Sequence, residues 1–221
     1  MMLRDKSRTR PSGKATSGCP TGPDSSRCPI AALLTWATLA LSTPASAASP
    51  IEYCIGCHGT DGVAAEDDTP HLNGQPEHLL VEMMNAFRDG RRPLRVYIHR
   101  EIRAANVEVI AAHYARQKAQ RPRQTVNPEL VERGELLHWR HCATCHMDSG
   151  RASDKEAPLT AAQNLEYLIN QARAFKSGAR ALPATTALIF RELTEDDLVA
   201  VLHYYAAQVQ QAPNEGRRRR R

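Results

Sequence analysis

The chain has 221 residues, room for one or two domains, and only 5% of them are aromatic, so a small domain has little side-chain mass to bury. Its 29 lysines and arginines outnumber 24 acidic residues, but six basic residues fall in the first 47 positions and five form the terminal run Arg217 to Arg221. The body between is slightly acidic, so the isoelectric point near 9 comes from the ends and gives no support for nucleic-acid binding.

The opening reads as an export signal. Arg4, Lys6, Arg8, Arg10, Lys14 and Arg27 precede the twelve-residue apolar run Ile30 to Leu41, and Ala45-Ser46-Ala47 suits a signal peptidase. Twelve residues are too few to span a bilayer comfortably, which disfavours a membrane anchor. No arginine pair precedes the run, as expected of export in the unfolded state. Cleavage after Ala47 would remove Cys19 and Cys28 and leave four cysteines.

Those four lie in two copies of one motif, Cys54-Ile-Gly-Cys57-His58 and Cys142-Ala-Thr-Cys145-His146. CxxCH is the attachment motif of c-type haem: both thiols bond to the vinyl groups and the histidine ligates iron. A zinc site is disfavoured because 84 residues separate Cys57 from Cys142, and a redox disulfide lacks a βαβ context. Two covalently attached c-type haems are therefore expected.

The segments after the motifs repeat. Leu80, Ala86-Phe87 and Gly90 recur 88 positions later as Leu168, Ala174-Phe175 and Gly178; Tyr114 recurs 91 later as Tyr205. Val107, Ile110, Ala111 and Tyr114 form one apolar helical stripe, and Leu198, Val201, Leu202 and Tyr205 form its counterpart. Asn127-Pro128 predicts one helix start, and Thr194 before Glu195, Asp196 and Asp197 predicts another. Residues 117–127 are polar and flanked by prolines, a linker.

CIGCHGTDG, LNGQ, AFRDG and AAHYA in the first half, with GELLHWRHCATCH, AFKSG and HYYAAQ in the second, resemble tandem di-haem class I cytochromes c of the cytochrome c-four group. The di-haem subunit of flavocytochrome c sulfide dehydrogenase is similar too. The resemblance implies an all-α fold of two tandem class I cytochrome c domains, each wrapped around one haem. The domains expected are 48–116 and 128–211, between a signal peptide (1–47) and an arginine-rich disordered tail (212–221). It also implies a small residue, Gly134, where terminal helices cross, and Pro70 and Pro158 as carbonyl acceptors for the proximal imidazoles. Only Ala48 to Tyr53 precede Cys54, so the first domain's opening helix is expected to be short.

The family's distal methionine would fall near Arg95 and near Thr186, and neither is methionine. In the first loop His99 is the candidate ligand; Met83, Met84, His71 and His113 are weaker alternatives. The second loop, from Lys176 to Leu193, has no histidine, methionine or cysteine. Met147, His138, His141, His203 and Lys176 are poorly placed, so an open or exogenously ligated iron is expected there.

The function expected is periplasmic electron transfer in a bacterium between redox partner proteins, with a dehydrogenase or terminal oxidase among the candidates and no catalytic residues. Two alternatives stay open: ligand binding or catalysis at the second haem, and service as the cytochrome subunit of a sulfur-compound dehydrogenase. The arginine tail offers weak contact with an anionic membrane surface.

Overall fold

A computed structural model describes residues 49–152 and 157–210, and every regular element among them is helical. The expected signal (1–47) and tail (212–221) lie outside the described residues. Among the described residues no helix is long and apolar enough to cross a membrane.

The first half holds α1 (Glu52–His58), α2 (Glu77–Arg88) and α3 (Ala104–Ala115), with a 3₁₀ turn at Tyr97–His99. Helix α1 is short, as expected, and carries the whole CIGCH motif; Gly59 ends it at φ 71°, where a side chain would be strained. The predicted stripe on α3 is buried at all four positions. It packs with Ile51, and Leu72, Leu80, Met84 and Ile102 complete that cluster.

The second half holds α4 (Pro128–Leu137), α5 (Leu165–Lys176), α6 (Ala184–Glu192) and α7 (Glu195–Ala207). Asn127 caps α4 by accepting from the backbone N–H groups of Glu129 and Leu130, with Pro128 in the first turn. Helix α4 runs into a π-helical turn, His138–Cys142, that delivers the second motif. Thr194 and Asp197 form a reciprocal capping box on α7. Helix α4 crosses α7 at Gly134, and Leu168, Val201, Tyr204 and Tyr205 are buried beneath them. The stretch read as a distal loop around Thr186 is instead helical, forming α6.

The repeat extends to single hydrogen bonds. Gly62 O accepts from Leu72 and Asn73 N–H, and Gly150 O accepts from Thr160 and Ala161 N–H, with both glycines at φ near 80°. Gly74 N–H donates to Tyr114 O, and Ala162 N–H donates to Tyr205 O.

Residues 117–127 have no regular structure but are more than a tether. Arg121 is buried and donates to Asn73 Oδ1 and to the carbonyls of Asn73, Leu159 and Ala161. Asn73 Nδ2 in turn donates to the carbonyls of Lys118 and Gln120. The polar composition that marks a linker here supplies the groups that fasten it, because these buried donors find backbone carbonyls and one side-chain amide oxygen as acceptors.

Candidate haem sites

In the first half α1 carries Cys54 about one turn before the adjacent Cys57 and His58, with Cys54 half-buried and Cys57 exposed. His58 is 8% exposed and its Nδ1 donates to the Pro70 carbonyl at 3.0 Å. A carbonyl only accepts, so this bond fixes the tautomer and leaves Nε2 with a lone pair. Burial, seconded by Arg92, holds the ring's pKa below its ordinary value against the opposing Pro70 bond, which favours the neutral, ligating form.

His99 faces His58, with ring centroids 6.1 Å apart and planes tilted by 45°. Imidazole nitrogens bind metal ions at about 2.0–2.1 Å, so two rings sharing one ion have centroids about 6 Å apart. His99 also stacks on Phe87 at 4.6 Å, and its buried Nδ1 has no hydrogen-bond partner. Burial, then His58 and Arg92, push its pKa down to about 4, so it too is neutral. The rival donors are engaged elsewhere. Met84 packs in the core, Met83 Sδ accepts from Arg180, His113 Nε2 donates to Thr60 O, and His71 Nδ1 accepts from Ala64 N–H.

In the second half the His146 ring lies 5.5 Å from Tyr205, as His58 lies 6.5 Å from Tyr114. Tyr205 Oη pairs with Nδ1 of the buried His138 at 2.9 Å. Cys142 is half-buried, its thiol pushed up to about 11, chiefly by burial; Cys145 is exposed. On the opposite wall the offset of 91 that relates α3 to α7 carries His99 to Phe190. Phe190 meets Phe175 edge-on at 5.7 Å, where His99 stacks on the equivalent Phe87. This correspondence escaped the sequence reading, although the Tyr114 to Tyr205 offset could have revealed it. Lys176 Nζ donates to Leu193 O, His203 Nδ1 accepts from Asn127 N–H, and Met147 is exposed.

The halves meet through two arginines related by the repeat. Arg92 stands 4.4 Å over the Phe87 ring and donates to Tyr167 Oη and Gln171 Oε1. Arg180 stands 4.4 Å over Phe175 and donates to Gln171 Oε1 and Met83 Sδ. Among the described residues neither makes an ion pair with a carboxylate. Burial alone would raise the Tyr167 phenol, yet Arg92 and Arg180 overcome it and hold it below its usual pKa. Two largely buried cations without an anion fit a group that brings carboxylates, as haem brings propionates. The small clusters of buried apolar residues likewise fit a fold whose core a large apolar cofactor completes.

A helical frame with two such constellations is that of a di-haem c-type cytochrome, an electron carrier holding two covalently attached haems. No protein-family model matches the chain. It is 30% identical over 199 residues to the thiosulfate dehydrogenase electron acceptor of Thiomonas intermedia, covering 81% of this chain and 90% of that protein. It is 28% identical over 165 residues to cytochrome c4 of Pseudomonas aeruginosa, covering 68% and 81%. The crystal structure of reduced cytochrome c4 from Pseudomonas stutzeri superposes with a TM-score of 0.60 at 22% identity, over 72% of this chain and 94% of that one. The chain belongs to the family of di-haem cytochromes c that includes cytochrome c4 and the electron acceptor of thiosulfate dehydrogenase.

Proposed function

We propose that this chain works in the bacterial periplasm as the electron acceptor of a sulfur-compound dehydrogenase, and that its two haem sites are unequal. The likeness to the acceptor of thiosulfate dehydrogenase supports the donor class. The basic and apolar opening of the chain supports export. In this reading residues 48–116 and 128–211 are the two cytochrome domains, joined by 117–127.

Cys54 and Cys57 hold the first haem through thioether bonds, and Cys142 and Cys145 hold the second. Each bound haem supplies one iron that takes up and releases single electrons. His58 and His146 would each hold an iron, His99 would be a second ligand to the iron held by His58, and Arg92 and Arg180 would neutralise propionates between the halves. Pro70 orients the His58 ring, and the stacked Phe87 holds His99 in place while excluding water.

The observation that carries the inequality is the pairing of His99 with Phe190 in the repeat. An imidazole offers a nitrogen lone pair and a phenyl ring offers none, so the second site is left with one strong protein ligand and would keep a coordination position for an exogenous one. Such a position is also what would let the second haem bind a gas or sense it.

Carbon monoxide added to the reduced protein, read together with electron paramagnetic resonance of the oxidised form, tests the inequality. The expected result is gas binding at one haem of two and a bis-histidine low-spin signal from the other; two histidine–methionine signals would overturn it. For the donor, thiosulfate and its dehydrogenase should reduce this protein faster than they reduce an unrelated c-type cytochrome, and equal rates would reject the assignment.

A further inference from the structure

One peptide group in the first half does two things at once. The carbonyl of the Pro70–His71 peptide accepts the Nδ1 proton of His58 at 3.0 Å. The N–H of the same peptide donates to Oε1 of Gln163, in the other half of the chain, at 2.7 Å. Gln163 closes the pair by donating its Nε2 to the His71 carbonyl at 2.9 Å. The repeat supplies the mirror image: Leu159 N–H donates to Gln75 Oε1 at 3.0 Å, and Gln75 Nε2 donates to Leu159 O at 2.8 Å. Gln163 is 3% exposed and Gln75 7%, so water does not compete for these bonds. Each half thus grips the peptide that follows the other's proline.

We propose that Gln163 is a positioning residue for His58 and makes the potential of the first haem depend on the second half of the chain. This rests on the reading of His58 as an iron ligand. An acceptor on a peptide N–H draws electron density toward the carbonyl oxygen, and hydrogen bonds in a chain strengthen one another by about 10–30% per bond. The Pro70 oxygen then pulls harder on the Nδ1 proton, and Nε2 becomes a more basic donor, as outer partners of ligating histidines generally achieve. A more basic ligand favours the oxidised iron. Gln75 makes the matching grip on the Pro158–Leu159 peptide of the second half.

The test uses the holoprotein carrying Gln163→Leu, with Gln75→Leu as a matched lesion of the same interface. Hyperfine-shifted resonances of the His58 ring in the parent protein establish ligation independently; their absence would reject the underlying reading before the inference is addressed. Given those resonances, Gln163→Leu should shift the Nδ1 proton signal of His58 and raise the first haem's potential. The rise expected is about threefold in the equilibrium constant for reduction, or ~28 mV at 59 mV per tenfold for one electron, with the second haem unmoved. Gln75→Leu, which leaves the Pro70–His71 peptide untouched, should spare the first haem. Gln163→Glu retains the acceptor oxygen, so it should not raise the first potential, and it serves should the leucine variant fail to fold. An unchanged first potential in Gln163→Leu, an equal rise of the first potential in Gln75→Leu, or a rise in Gln163→Glu would each overturn the proposal.

Discussion

Replacing Gly134 with alanine puts a methyl group into the backbone of α7. The added carbon would overlap the Ala200 carbonyl oxygen and stand 2.6 Å from its carbon and 2.9 Å from Tyr204 Cβ. Carbon atoms pack at about 3.5–4.0 Å, so the helices must part by roughly 1 Å. The obstructing atoms are mostly backbone, which places the cost near the top of the overpacking range, about 3 kcal/mol. Alanine's better helix propensity returns about 1 kcal/mol. The net loss of about 2 kcal/mol corresponds to a fall in Tm of about 8–16 °C for a domain of this size. Thermal melts followed by far-ultraviolet circular dichroism and by haem absorbance would measure it. Gly56→Ala is the control: Gly56 lies in α1 with nothing within 4 Å of the added carbon, so that variant should melt at or above the parent. If Gly134→Ala melts with the parent, the close crossing of α4 and α7 is not what holds the second half together.

Arg121→Ala strands the Ala161 carbonyl and Asn73 Oδ1 and leaves the Leu159 carbonyl with Gln75 as its remaining donor, at a cost of about 3 kcal/mol. The urea midpoint should fall at unchanged slope, and Arg121→Lys should recover part of the loss. His71 gives the stability a pH dependence. Burial chiefly, with help from Arg121 and His58 against Asp61 and Asn164, pushes its pKa down to about 4, whereas the unfolded chain titrates at about 6.5. As the pH falls between those values the unfolded state takes up the proton first. Stability is then full above about pH 6.5 and declines toward pH 4 by up to about 3 kcal/mol. Denaturant midpoints across that window should show a shallower decline in His71→Leu than in the parent, and parallel declines would refute the assignment.

Much of the frame was legible because it rests on local rules. Asn127-Pro128 and Thr194 with Asp197 start helices by capping chemistry that acts over three residues, and the α3 and α7 stripes follow from periodicity. The attachment motifs were legible because covalent and metal chemistry demands those residues at that spacing. What escaped depends on pairs distant in the chain. Gln75 and Gln163 contact backbone 84 and 92 residues away, and no local pattern marks a glutamine as buried. Polarity misled at Arg121, since a buried guanidinium with four backbone and amide acceptors looks, in one dimension, like a solvated one. The equivalence of His99 and Phe190 was hidden because the same position sits in a 3₁₀ turn in one half and in α6 in the other.

The fastened segment at 117–127 bears on how fast the two irons can exchange an electron. Centres on halves joined by a loose tether must wait for a productive collision, and the rate then follows solvent friction. Here Gln124 donates to the Gln163 carbonyl and accepts from Leu165 N–H, while Arg121 grips both halves. The separation of the irons is therefore set by the frame, and internal exchange should be indifferent to added glycerol. A protease cut between Arg121 and Val126 would leave two fragments that still travel, and still conduct, as one.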